Sequence, residues 1–271
     1  MPAVHLDELH ARVFISQYLT IGTSWDSPNV YSSFWRLYVN DRAGASVLLR
    51  DGPYALSAWR VHFVPAWVRF TCHNSRPLGH YYIHFDLVGL PAAVVREIFD
   101  RPFTLTREPS LNDAVKRWAA VMRSEKSAEL STLCEVKSLL YRALASLLAE
   151  LSPEQHARCS RYLLSRTAVT PATEFIDANL AEPLSNAELA HVCHVSEDHF
   201  IRVFRQALGQ TPAQYILDRR VSAAAQRLIF SKDSVDAIAE ATGFSDRFYF
   251  SRVFAKRMGS PPAAYRKVDR V

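Results

Sequence analysis

Arg202 and Arg252 stand at matching places in two similar stretches of sequence. An arginine fork presents parallel N–H donors that suit a phosphate, a carboxylate or the paired acceptors on a guanine edge. Around the first stand Asp198, Ile201 and Arg205; around the second stand Arg247, Phe248, Ser251 and Lys256. A carboxylate can accept from a base amino group and an apolar side chain can meet a base methyl, so the two sets differ in chemistry. A third group, His62, His73, His80, His84 and Asp86, has the residue types of a metal site. His80 and His84 are four apart in a strand-like run, where histidines that hydrogen-bond within a core are the simpler reading. No metal and no cofactor is expected.

The arginine-bearing stretches belong to a repeat. Phe200, Arg202, Val203, Phe204, Gly209, Pro212 and Tyr215 are answered by Phe250, Arg252, Val253, Phe254, Gly259, Pro262 and Tyr265. Upstream, Leu189 and Ala190 are answered by Ile238 and Ala239, and Ser196 by Ser245. The offset is 49 before the serines (Leu189 to Ile238) and 50 after them (Phe204 to Phe254), so one residue separates the copies. Repetition of a whole pattern is much harder to obtain by chance than one motif.

Each copy reads as a short helix, a tight turn and a longer helix, over 185–208 and 234–258. Ser185 with Glu188 predicts a capping box, and Ser196 a cap on the following helix. Phe200, Val203, Phe204 and Leu208 make one apolar stripe; Asp198, Ile201, Arg202 and Arg205 share the opposite face. Gly209 is placed to end that helix. In the second copy Ser234 caps, Gly243 closes the turn, and Phe250, Val253, Phe254 and Met258 pack. Between the copies, Thr211-Pro212 starts a helix to about Phe230. Nineteen residues at roughly 1.5 Å each give roughly 28 Å, a strut able to hold two helices near successive major grooves.

Residues from about Thr173 to Lys267 resemble the DNA-binding domain of the AraC/XylS family of bacterial transcription factors. The resemblance rests on Ala187, Leu189, Ala190, His199, Phe200, Arg202, Phe204, Gly209, Pro212, Tyr215, Arg219, Arg220, Ile238, Ala239, Gly243, Phe244, Tyr249, Phe250, Ser251, Arg252, Phe254, Pro262 and Tyr265. It implies that Asp198, Ile201, Arg202, Arg247, Phe248, Ser251 and Arg252 reach base edges, with Arg205 and Lys256 beside them. Its implied partner is double-stranded DNA carrying operator half-sites, with RNA polymerase as a further partner of an activator.

Composition agrees with this and bounds it. The chain has 271 residues, room for two domains. Its 49% apolar and 22% charged content is that of ordinary soluble proteins. The net charge of +5 and pI near 9.1 permit nucleic-acid binding without requiring it. From Arg219 onward 11 basic residues stand against 5 acidic ones, which predicts a phosphate-binding face there. Met1 to Glu8 has neither the basic nor the apolar region of a signal peptide, and no apolar run approaches a membrane span. Cys72, Cys134, Cys159 and Cys193 are isolated, without metal or redox spacing. A cytoplasmic, reduced protein is expected.

From about Arg12 to Leu87 short runs rich in β-branched and aromatic residues alternate with turn signals. They are 34–39, 46–49, 59–64, 67–71 and 80–85. The predicted fold is therefore two-domain: an N-terminal mostly-β part with helices, and an all-α C-terminal domain with two helix-turn-helix motifs joined by a long helix. The N-terminal part resembles the cupin-like jelly-roll sensor of many AraC-type regulators. The histidine-x-histidine pair followed by glutamate that metal cupins use is absent. Four tryptophans, Trp25, Trp35, Trp59 and Trp67, lie here, and aromatic faces with a few polar groups suit a small polar effector such as a sugar. In the family the strand matching His80 to His84 contributes to the pocket, which points to Tyr82 and His84. Arg36, Tyr38 and Asn40, on one face of another strand, come next.

From Leu111 the period becomes helical. Leu133, Leu140, Leu144, Leu147 and Leu151 form a stripe that is either core or, as the family implies, the seam of a homodimer. Ala168 to Pro171 reads as a linker. The expected domains are a sensing domain over 1–110, a helical dimerisation segment and linker over 111–171, and a DNA-binding domain over 172–271. The expected function is that of an effector-responsive transcriptional regulator rather than an enzyme. A cupin-type enzyme fused to a DNA-targeting module, and a regulator without any ligand, are the alternatives.

Overall fold

In a computed structural model, residues 9–90, 92–124, 129–166 and 168–268 are described. The start through Glu8, and Asp269 and Arg270 of the basic count, lie outside them. The chain divides into two compact units, one through His156 and one from Ala157, so the division falls inside a helix, Pro153–Arg166.

Strands whose side chains alternate between two faces build the first unit, with one irregularity in β1 between Val13 and Ile15. Strands β1 (His10–Ile21), β2 (Trp35–Asn40), β3 (Ala45–Leu49), β4 (Gly52–Ala55), β5 (His62–Val64), β6 (Thr71–Asn74), β7 (Leu78–Val88) and β8 (Phe103–Thr104) form two antiparallel sheets. One runs β1-β7-β2-β5-β8 and the other β4-β3-β6. On β7, Tyr81, Ile83 and Phe85 turn to one face. There Trp35 is packed by Phe63, Phe85, Phe99 and Phe103, and Tyr81 meets Trp118. His80, Tyr82 and His84 turn to the other. Helices α1 (Ala92–Ile98), α2 (Pro109–Met122) and α3 (Leu130–Ala149) complete the unit, with α2 and α3 packed on each other and on β1.

Two of the expected strands shift. The run 59–64 becomes strand only from His62, because Trp59 sits at φ +53° with its N–H on the Asn40 carbonyl. The run 67–71 is mostly irregular: Trp67 is at φ +69° and its N–H donates to the Ser32 carbonyl, Phe70 bridges Val30, and only Thr71 joins strand β6. The helical segment does not stand apart from the sheets. Leu140, Leu144 and Leu147 are buried in this unit and Leu151 partly so, whereas Leu133 is 56% exposed. Of the two readings of this stripe, core or seam, burial of Leu140, Leu144 and Leu147 within the unit fits core for those three.

The second unit holds the end of α4 (Pro153–Arg166), then α5 (Thr170–Ala178), α6 (Asn186–Val192), α7 (Glu197–Leu208), α8 (Pro212–Phe230), α9 (Val235–Ala241), α10 (Arg247–Met258) and α11 (Pro262–Val268). The stretch read as a linker is structured: Val169 is buried beside Ala172 and Ile176, and Thr170-Pro171 open α5. The capping box of Ser185 with Glu188 is present, Thr211 and Gln214 form another on α8, and Ser234 accepts from Ala237 N–H. Gly209 and Gly259 end α7 and α10 in the left-handed conformation, at φ +69° and +77°.

The repeat in sequence is a repeat in packing. Phe200 meets Phe204 at 5.3 Å and Phe204 meets Tyr215 edge-on at 5.5 Å; Phe250 meets Phe254 at 5.5 Å and Phe254 meets Tyr265 edge-on at 5.2 Å. The extra residue of the second copy also finds its place. Val195 N–H bonds the Ala190 carbonyl and Phe244 N–H the Ala239 carbonyl, still at offset 49. The caps that follow are Ser196 and Asp246, at offset 50. Ser245 is thus the insertion, and Asp246, whose side chain accepts from Phe248 N–H, is the true counterpart of Ser196. Ser196 holds the cap position without a side-chain hydrogen bond.

Candidate nucleic-acid interface and interior polar strip

Burial of the aromatic stripe turns the opposite face of α7 and α10 to solvent. Asp198, Arg202 and Arg205 are exposed on α7 with Ile201 half-buried; Arg247, Phe248, Arg252 and Lys256 are exposed on α10 with Ser251 half-buried. Arg202 Nη2 lies 3.0 Å from His199 Nδ1, one turn earlier on the same helix. Arg247 is held 3.1 Å from Asp236 of α9, a partner with no counterpart in the first copy, where Ala187 stands 49 positions earlier.

The basic surplus is smaller at the surface than in the sequence. Arg219 forms a two-point pair with Asp177 at 2.7 and 3.1 Å, and Arg257 pairs with Asp218 at 3.1 Å. Arg266 donates to the Asp233 carbonyl. Arg220 donates to three carbonyls, those of Leu180 (2.9 Å), Glu182 (2.7 Å) and Gly243 (2.9 Å), and so ties α8 to the segment before α6 and to the turn between α9 and α10. Four of the basic residues expected to face phosphates are internal fasteners. Arg227, Lys232, Arg252, Lys256 and Lys267 remain exposed with no ion pair among the described residues.

In the first unit the residues singled out on two separate strands meet as cross-strand pairs: Arg36 opposite His84, Tyr38 opposite Tyr82, Asn40 opposite His80. All are buried. His80 Nδ1 and Asn40 Oδ1 are 2.7 Å apart, the Tyr82 hydroxyl donates to Gln17 Oε1 at 2.7 Å, and the Arg36 guanidinium lies over the rings of Phe34 (4.5 Å) and Phe70 (5.3 Å). Trp25 closes on Tyr38 and His80. The other three tryptophans are elsewhere: Trp35 faces the helices, and Trp59 and Trp67 occupy turns. Gln17, exposed on β1 opposite Tyr82, is a hydrogen-bond partner of the strip that the sequence reading misses. It shares a face with Ile15 and Leu19 in the alternation of β1, the signal that could have found it.

Among the described residues no group of three or more His, Cys, Asp or Glu could hold a metal ion. The histidines have other tasks. His62 Nε2 reaches the Ser57 carbonyl at 2.9 Å, so it must carry the proton and donate. Nδ1 then accepts from the Thr104 hydroxyl at 2.8 Å, which accepts in turn from the Tyr54 hydroxyl at 2.6 Å.

Burial lowers His62 to about 4 and His80 to about 3, and holds His84 well below the usual imidazole range, with Arg36 and His80 adding to the effect. Their stabilising contribution is therefore complete above about pH 6.5 and falls as acid protonates the unfolded chain first. At ~1.4 kcal/mol per pH unit below 6.5, His62 and His80 each cost about 2 kcal/mol by pH 5, and His84 acts in the same direction. All five tryptophans lie in the first unit, so melts followed by tryptophan fluorescence isolate it. A midpoint that falls between pH 7 and 5, less steeply in His80→Asn, is expected; a flat midpoint would mean the histidines protonate in place.

The second unit is a helical domain with two equivalent helix pairs that present arginines outward. It is a helix-turn-helix domain. Residues 189–268 match the family described as "Helix-turn-helix domain". Over 93 residues the chain is 37% identical to the MmsAB operon regulatory protein of Pseudomonas aeruginosa, covering 34% of this chain and 30% of that one. Over 99 residues it is 36% identical to the bifunctional transcriptional activator/DNA repair enzyme AdaA of Bacillus subtilis, covering 36% and 47%. The chain thus spans less than half the length of these curated relatives. The structure of unsaturated fatty acid bound ToxT from Vibrio cholerae matches 97% of this chain and 96% of its own at a TM-score of 0.52 and 12% identity, a likeness of fold. Among the described residues no helix is long and apolar enough to cross a membrane.

Proposed function

We propose that the protein is a sequence-specific, DNA-binding transcriptional regulator of the AraC type, working in the bacterial cytoplasm. The observation that carries this reading is the outward Arg202 and Arg252 at one place in two equivalent helices, each backed by the same aromatic packing. The two helix pairs act as helix-turn-helix readers and α8 is the strut between them. Arg202 and Arg252 read base edges with Asp198, Ile201, Phe248 and Ser251; Arg205, Arg247 and Lys256 add base or phosphate contacts. In gel-shift titrations against genomic fragments, the preferred fragment should bind at least about 10³-fold tighter than bulk DNA. Binding that never exceeds the bulk level would refute the proposal.

The first unit is proposed as a cupin-like sensor whose interior strip of Arg36, Tyr38, Asn40, Tyr82 and His84 takes a small effector. Its mixture of aromatic faces, a guanidinium and amide groups supports a sugar or another small polar or acidic molecule. Because ToxT, which shares the fold, holds an unsaturated fatty acid, fatty acids belong beside sugars in the screen. An effector at 100 times its Kd adds about 2.7 kcal/mol to the unit that binds it, visible as a raised tryptophan-detected melt. No shift with any sugar or carboxylic acid would leave the unit without a sensing role. Homodimer formation, if it uses α3, falls to its outer side, where Leu130, Leu133 and Tyr141 are exposed. RNA polymerase is the further partner if the regulator activates.

A further inference from the structure

The two reading helices carry the same arginine but opposite chemistry one turn before it. Phe248, the second residue of α10, is 76% exposed, and its backbone is fixed by the Asp246 carboxylate accepting its N–H at 2.8 Å. Of the neighbouring rings, Phe250 is fully buried and Tyr249, 46% exposed, leans on Phe244 at 6.2 Å, so Phe248 is the most exposed of the three. Phe248 has no ring contact among the described residues, so core packing does not account for it. It lies four residues before Arg252, on the same face. At the equivalent place on α7, 50 positions earlier, stands Asp198, also exposed.

In a major groove the apolar feature within reach of such a side chain is the thymine 5-methyl group, whereas a carboxylate meets only an amino donor such as that of cytosine. We infer that Phe248 reads a thymine methyl next to the base pair read by Arg252. The DNA site is then chemically asymmetric: its second segment requires a thymine at a position where the first segment does not. This rests on the DNA-binding reading above and adds to it the identity of one base and the residue that selects it.

The test uses the full chain and a site recovered from random DNA, with each thymine replaced singly by deoxyuridine, which removes the methyl alone. One position in the second segment should lose about four-fold in affinity, the factor for ~0.8 kcal/mol per buried carbon. The loss should vanish in Phe248→Ala and persist in part in Phe248→Leu, with far-UV circular dichroism confirming that both variants fold. Specific binding indifferent to deoxyuridine at every position would overturn the inference while leaving the DNA-binding reading intact. An unchanged loss in Phe248→Ala would likewise overturn it. Failure to recover any site would instead remove the DNA-binding reading itself.

Discussion

Replacing Gly243 with alanine is expected to lower the stability of the C-terminal unit by roughly 2–5 kcal/mol, a large share of what holds it folded, while the N-terminal unit keeps its stability. Gly243 sits at φ +81°, where an L side chain costs about 1–2 kcal/mol. A Cβ there would lie 2.3 Å from the Leu180 carbonyl oxygen and 2.7 Å from the Arg220 guanidinium. The carbonyl is backbone, so relief requires shifting the segment before α6, and overpacking of that kind costs roughly 1–3 kcal/mol. It would also pull apart the three carbonyls that Arg220 gathers. A domain of this size holds only about 5–15 kcal/mol in total. Because every tryptophan lies in the other unit, helix content by circular dichroism should fall on mild warming while tryptophan fluorescence does not. Gly22→Ala, whose Cβ would meet only Ser24 Oγ at 3.9 Å, serves as a near-neutral control. Equal melting of Gly243→Ala and the parent would refute the fastening role given to this turn.

The second large effect is on binding. Truncating both Arg202 and Arg252 to alanine should reduce affinity for the preferred site by roughly 30- to 10⁴-fold at fixed salt, from about 1–3 kcal/mol for each base contact. Bulk DNA should be bound only slightly less well. Both side chains are exposed, so the fold should not change. A uniform loss on preferred and bulk DNA, with a shallower salt dependence, would mean that the arginines touch only phosphates.

The C-terminal architecture could be read from the chain because its signals are local. Capping serines, Pro212 at the start of α8, glycines after α7 and α10, and a 3.6-residue apolar stripe each act within a turn or two of sequence. What could not be read depends on partners distant in sequence. Arg220 looks like one more surface cation until α8 brings it against Leu180, Glu182 and Gly243. Ser245 looks like a cap, yet the inserted residue passes that task to Asp246. In the N-terminal unit, the run 67–71 has strand composition but is turned by Trp67. The stripe on α3 has the spacing of a seam, and only the position of β1 and α2 decides that Leu140, Leu144 and Leu147 are core. The polar strip was half visible: alternation placed Tyr82 with His84 and Arg36 with Tyr38 and Asn40, but only the β2–β7 register sets the two groups face to face.

The most direct measurement is selection of bound DNA from a random pool, followed by footprinting on the winning sequence. Two readers held by one rigid α8 predict two short conserved segments about 10 base pairs apart from centre to centre, protected on one side of the duplex. Arg202→Ala should relax one segment and Arg252→Ala the other. A single uninterrupted segment, or a pool that shows no enrichment, would contradict the account.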